Sequence, residues 1–170
     1  RRRRRLAAAH QHLLERRRRV HRALLGGRAL PQRRQRRRLA VDAHAATDVT
    51  GFGLVGHLLG MTKASNVNAK VWRSSLPVLD GTLDLIDAGM VPGGTHRNLN
   101  SLEGNVKWAD DLTDADRFLM ADPQTSGGML ISVGEDSLGE LLSRLRDLGT
   151  LAADVIGEIV PGTGIVEALD

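Results

Sequence analysis

Cysteine is absent from the 170-residue chain, which excludes disulfides, thiolate metal sites and cysteine nucleophiles, and nothing argues for an oxidising compartment. No apolar run approaches the roughly 20 residues needed to span a bilayer. The N-terminal arginines are not followed by the uninterrupted apolar stretch of a secretory signal, so a cytoplasmic location and no membrane contact are expected. A Walker phosphate loop, an HExxH zinc motif and a Ser/His/Asp arrangement are also missing. The acidic run ADDLTDAD, residues 109–116, lacks the glycine and terminal Glu of a Ca²⁺ loop and reads as a solvated face with capping residues. The chain begins with Arg rather than Met, and a fragment or a processed start is expected.

Charge is unevenly spread. Residues 1–40 hold 16 of the 24 basic residues and one acid, Glu15, a net of +15; the remainder holds 8 basic against 19 acidic residues, a net of −11. The sequence divides accordingly into an Arg-rich low-complexity arm, 1–40, and a folded domain, 41–170. Self-repulsion and scarce apolar area leave such an arm little to offset chain entropy, so disorder is expected. Ala, Leu and Arg nevertheless allow short helices within about residues 6–25. The arm carries no aromatic residue on which bases could stack.

From residue 41 the pattern is that of mixed α and β structure. Phe52 to Ser65 predicts a helix with Leu54, Val55, Leu58, Leu59 and Met61 on its apolar stripe, stopped by Asn66. AKVW, 69–72, predicts a strand; Thr82 to Ala88 predicts a helix closed by Gly89. VPGGTHRN, 91–98, reads as a glycine loop. Residues 113–121 predict a helix capped by Thr113 or Asp114 and ended by Asp122-Pro123. GMLISV, 128–133, predicts a buried strand. A helix follows with a Ser137 to Glu140 capping box and Gly149 at its end. ADVIGEIV, 153–160, and GIVEAL, from 164, predict two strands joined as a hairpin at Pro161-Gly162. A mixed sheet covered by helices results.

Three polar glycine clusters carry the chemistry: TDVTGFG at 47–53, GGTHRN at 93–98 and DPQTSGG at 122–128. Glycine lets backbone N–H groups approach an anion, and the first cluster opens a helix whose N-terminus is partly positive. Asp48 there either caps the helix or holds Mg²⁺ against a phosphate, and spacing alone leaves both readings open. DPQTSGG has the composition of an ordinary turn. Arg97 reads as a solvated loop residue and His57 as a half-buried helix residue.

In order, TDVTGFGLVGHL, VPGGTHRN, ADPQTSGGMLISV and IGEIVPG resemble the C-terminal half of the selenophosphate synthetases, also called selenide, water dikinases, over residues 44 to about 168. The resemblance implies an AIR-synthase-like C-terminal lobe fused to an N-terminal lobe that holds most of the ATP site. It also implies conversion of ATP, selenide and water into selenophosphate, AMP and phosphate with Mg²⁺, and a homodimer joined largely through the other half. Carried onto this chain, the Mg²⁺ ligand of TDVTGFG is Asp48. Thr50 and Gly51 would shape the same phosphate-adjacent edge, and Thr125, Ser126 and Gly127 the neighbouring loop.

The departures from that family are its N-terminal lobe, with its glycine-rich segment, its catalytic Cys or selenocysteine and its catalytic Lys. This chain is therefore expected to hold no catalytic residue and to be inactive alone. Arginine-rich sequence stands where an ordinary amphipathic helix belongs, as an out-of-frame reading of a GC-rich gene would give. Two alternatives compete. One is a nucleic-acid-binding protein using the +15 arm, although the acidic remainder would repel the same backbone and only nonspecific contact through residues 1–40 is expected. The other is a lobe of a different AIR-synthase-like ATP-dependent enzyme.

Overall fold

The computed structural model describes the backbone of residues 21–26 and all of residues 41–170. In chain order the elements are β1 (His21–Gly26), β2 (Ala43–Asp48), α1 (Gly53–Ser65), β3 (Val67–Trp72), α2 (Thr82–Asp87), α3 (Gly93–Leu102), β4 (Val106–Trp108), α4 (Asp114–Ala121), β5 (Met129–Gly134), α5 (Glu135–Asp147), β6 (Ala153–Pro161) and β7 (Val166–Leu169). Among the described residues the strands form one sheet in the order β2-β5-β1-β6-β3-β7-β4. Pairing is antiparallel from β2 through β3, and β7 is parallel to both β3 and β4. The mixed sheet with helical cover is thus as the sequence implies.

Both faces of the sheet are covered, because side chains on a strand alternate between faces. On one face Leu54, Val55, Leu58 and Leu59 of α1 join Met120 and Ala121 of α4, Leu130 of β5 and Ile156 and Ile159 of β6. On the other, Leu138, Leu141 and Leu145 of α5 cover Met129, Ile131 and Val133 of β5. The helices start and stop as their local chemistry dictates. Asn66 ends α1 in a left-handed conformation, φ 52°, returning its N–H to Lys63 and Thr62. Thr113 caps α4 in a reciprocal capping box with Asp116.

Three expectations are corrected. Residues 21–26, inside the segment read as an arm, form β1, a strand whose backbone pairs with β5 on one side and β6 on the other. Without it the facing edges of β5 and β6 would leave rows of unpaired N–H and C=O groups, and HRALLG is one of the least basic stretches of the Arg-rich segment. The other residues of 1–40, including those read as helix-capable, lie outside the described residues.

The C-terminal hairpin is replaced by an insertion: β3 lies between β6 and β7. The cause is local. Asn68 Oδ1, on β3, accepts from the backbone N–H groups of Thr163, Gly164 and Ile165 at 2.8, 3.1 and 2.9 Å, folding the turn over the end of β3 so that β7 emerges on its far side. The capping box proposed for α5 is absent as well. That helix begins earlier, at Glu135 with Gly134 as N-cap and no side-chain cap; Glu135 and Asp136 in its first turn suit the positive helix end, and Glu140 pairs with Arg144 at 2.5 Å.

Candidate functional site

Asp48 is the last residue of β2 and pairs across the ladder with Met129 of β5. The chain then turns sharply. Val49 is fully buried, and its N–H donates to the Gly128 carbonyl at 2.9 Å. Thr50 and Gly51 are exposed, and α1 starts at Gly53 with Phe52 as its N-cap and no side-chain cap. The half-buried Asp48 thus stands four residues ahead of the N-cap, so the cap reading gives way; the side chain sits on a strand end.

GGTHRN is not a loop. It forms the first part of α3, with Pro92 at the N-cap position, and Thr95 and Asn98 are buried on its inner face with Leu102. Tertiary burial of that face outweighs the poor helix propensity of the paired glycines. Thr95, Asn98 and Leu102 recur at helical spacing, a signal the glycines obscured.

All three clusters meet here. Asn98 Nδ2 donates to the Gly51 carbonyl at 2.9 Å and to the Ala121 carbonyl at 2.8 Å, linking the second cluster to the first and to the end of α4. One turn earlier Thr95 Oγ1 donates to Asp122 Oδ1 at 3.3 Å. The third cluster reaches the first directly: Gln124 N–H donates to the Thr50 carbonyl at 3.1 Å. A side chain at Gly127 would collide with the Val49 carbonyl and the Gln124 amide, so only glycine lets those backbones pass. Gly53 is required likewise, with φ +72° and the Ala121 main chain where a Cβ would stand. Thr125 and Ser126 remain exposed between these contacts, with Gly127 half-buried.

Electrostatics at this edge follow from burial. His57 Nε2 lies 3.0 Å from Thr50 Oγ1, and its ring is 5.6 Å from that of Phe52. Burial pushes the imidazole below its usual pKa, with the Asp48 carboxylate opposing the shift. Burial raises the Asp122 carboxyl, partly offset by the Thr95 hydroxyl. Arg97 is exposed on α3, near Gly93, and is not drawn into the hydrogen bonds that join the clusters. Among the described residues no three His, Asp or Glu side chains gather as a metal cage, and no helix is long and apolar enough to cross a membrane. Sequence reasoning missed Thr95, Asn98, Asp122 and Gln124, which hold the clusters together.

The family profile described as AIR synthase related protein, C-terminal domain, matches residues 15–170. The chain belongs to this family. The match begins inside the Arg-rich segment, ahead of β1. Relatives of this AIR synthase related domain include the selenide, water dikinase of Aeromonas hydrophila subsp. hydrophila, 46% identical over 121 residues, covering 71% of this chain and 34% of the relative. The selenide, water dikinase of Clostridioides difficile is 37% identical over 120 residues, again 71% of this chain and 34% of the relative. The domain therefore spans about a third of the length of these curated relatives. Thiamine-monophosphate kinase from Stenotrophomonas maltophilia K279a shares the fold, with a TM-score of 0.52 and 21% identity over 90% of this chain and 52% of that one.

Proposed function

We propose that this domain supplies one wall of the ATP site of a selenide, water dikinase, the remainder coming from an N-terminal lobe of the kind its longer relatives have room for. The reaction is conversion of ATP, selenide and water into selenophosphate, AMP and phosphate. The observation that carries this reading is the convergence of three separate glycine clusters on the strand end that bears Asp48. Similarity to selenide, water dikinases over the segment that contains those clusters supports it.

The donor set fits a shared Mg²⁺ position rather than a complete one. Asp48 is a single half-buried carboxylate at a strand end, and Mg²⁺ commonly takes only one or two carboxylates from protein, filling its shell with water and phosphate oxygens. When bound, the ion would neutralise charge on the phosphoryl group in transfer. Thr50 and Gly51 shape the rim beside Asp48, and Thr125, Ser126 and Gly127 form the facing rim next to the phosphates. The chain contributes orientation and charge, and the covalent chemistry belongs to the other lobe. A cytoplasmic homodimer belongs to the same reading.

The test combines the 170-residue chain with a separately produced N-terminal portion of the Aeromonas relative. Asp48→Asn should lower AMP release at limiting Mg²⁺ by about tenfold or more, equivalent to ~1.4 kcal/mol, while the domain stays folded. Turnover within about twofold of the parent, a difference of well under 1 kcal/mol, would remove Asp48 from the metal. The chain alone should release no AMP from ATP and selenide.

A further inference from the structure

We propose that Asn98 is the positioning residue of this site: it never touches the ion or the nucleotide, and it sets where Asp48 stands by latching the loop that follows it. The inference rests on the Mg²⁺ reading above and adds to it the element that makes the carboxylate geometrically exact enough to use.

Segment 49–53 contains two glycines and exposes Thr50, Gly51 and Phe52, a composition that leaves its backbone soft. From the third cluster it receives two main-chain ties, Val49 to Gly128 and Gln124 to Thr50. From the second cluster it receives a side-chain tie, and that is Asn98. Asn98 is 9% exposed, and its carboxamide nitrogen faces the two carbonyls of Gly51 and Ala121. A carboxamide oxygen in that place would oppose two acceptors, so the amide orientation is set by its surroundings.

The two bonds act together. Ala121 ends α4, whose main chain also abuts Gly53. Asn98 therefore pins Gly51 to the same point of the framework against which α1 begins. Thr95 holds Asp122 from the same face of α3. Loss of the amide removes the donor shared by the buried Ala121 carbonyl and the part-buried Gly51 carbonyl, which the loop relieves by moving toward water. Ion coordination then suffers, since Mg²⁺ tolerates little geometric error. Asn98→Leu keeps the shape and removes both donors.

Mn²⁺ line broadening of the backbone amides of residues 49–53, read by NMR on the intact 170-residue chain, detects even weak ion binding without any turnover. Asn98→Leu and Asn98→Ala should each reduce that broadening at least about threefold, as a loosened supporting shell implies. Leu141→Ala, which opens a cavity under α5 in the core on the other face of the sheet and lowers the thermal midpoint, should leave it intact. Broadening within about twofold of the parent in both Asn98 variants, with Asp48→Asn abolishing it, overturns the positioning role alone. Equal loss in Leu141→Ala also overturns it, since any destabilisation would then suffice. Broadening that survives Asp48→Asn overturns the metal reading, and the positioning role falls with it.

Discussion

Thr50 Oγ1 and His57 Nε2 lie 3.0 Å apart, tying the exposed loop after β2 to the second turn of α1. Burial depresses the imidazole pKa, and Asp48 only partly restores it. The folded state thus prefers neutral His57, while the unfolded chain takes up its proton near the ordinary value of about 6.5. Stability from this group is present above that value and declines as pH falls from about 6.5 toward the lower folded value. The thermal midpoint should therefore drop between about pH 7 and pH 5 by less in His57→Gln than in the parent. An NMR titration midpoint for His57 at or above about 6.5 would contradict the sign.

The same substitution should have opposite effects at two glycines of α1. Gly53 has φ +72° and the Ala121 main chain where a Cβ would stand, whereas nothing lies within 4 Å of a Cβ on Gly60. Gly53→Ala should cost about 2 kcal/mol or more from strain and collision. Gly60→Ala should gain about 0.5–1 kcal/mol from helix propensity. Urea unfolding at equilibrium measures both, and a like sign for the two would refute the argument.

Asn68 acts as a single acceptor for three main-chain donors at the turn before β7. Asn68→Ala should cost about 1–3 kcal/mol, the penalty for stranding part-buried donors, and should speed amide exchange at Gly164 and Ile165. Asn68→Asp keeps the acceptor and should lie within about 1 kcal/mol of the parent. Destabilisation by Asp equal to that by Ala would show that the oxygen is not what holds the turn.

Legibility followed the range of the interactions. The ends of α1 and α4 were readable because Asn66, Thr113 and the Asp122-Pro123 pair act within a few residues of themselves. The α3 helix was not, since two glycines argue locally for a loop while Thr95 and Asn98 act through partners 27 and 47 positions away. The hairpin expectation failed for the same reason: its decisive residue, Asn68, precedes the turn by more than 90 positions. At the site, the glycine clusters and Asp48 could be named from composition and resemblance. Their convergence could not, because Gly127 against Val49 is a contact of backbone with backbone that leaves no side-chain pattern to read.

The insertion of β3 between β6 and β7 also imposes a timetable. β3 is complete by Trp72, yet both of its sheet neighbours come from residues 153–169, and β4 finds its partner in β7. A nascent chain carries β3 and β4 with open edges until Val166–Leu169 is free. Closure then has to overcome the entropy of loops about ninety residues long for β3 and about sixty for β4, which makes this half of the sheet slow to form. A nascent chain stalled ahead of Val166 would present two unpaired strand edges to any neighbour, so β7 guards against aggregation as much as it joins β3 to β4.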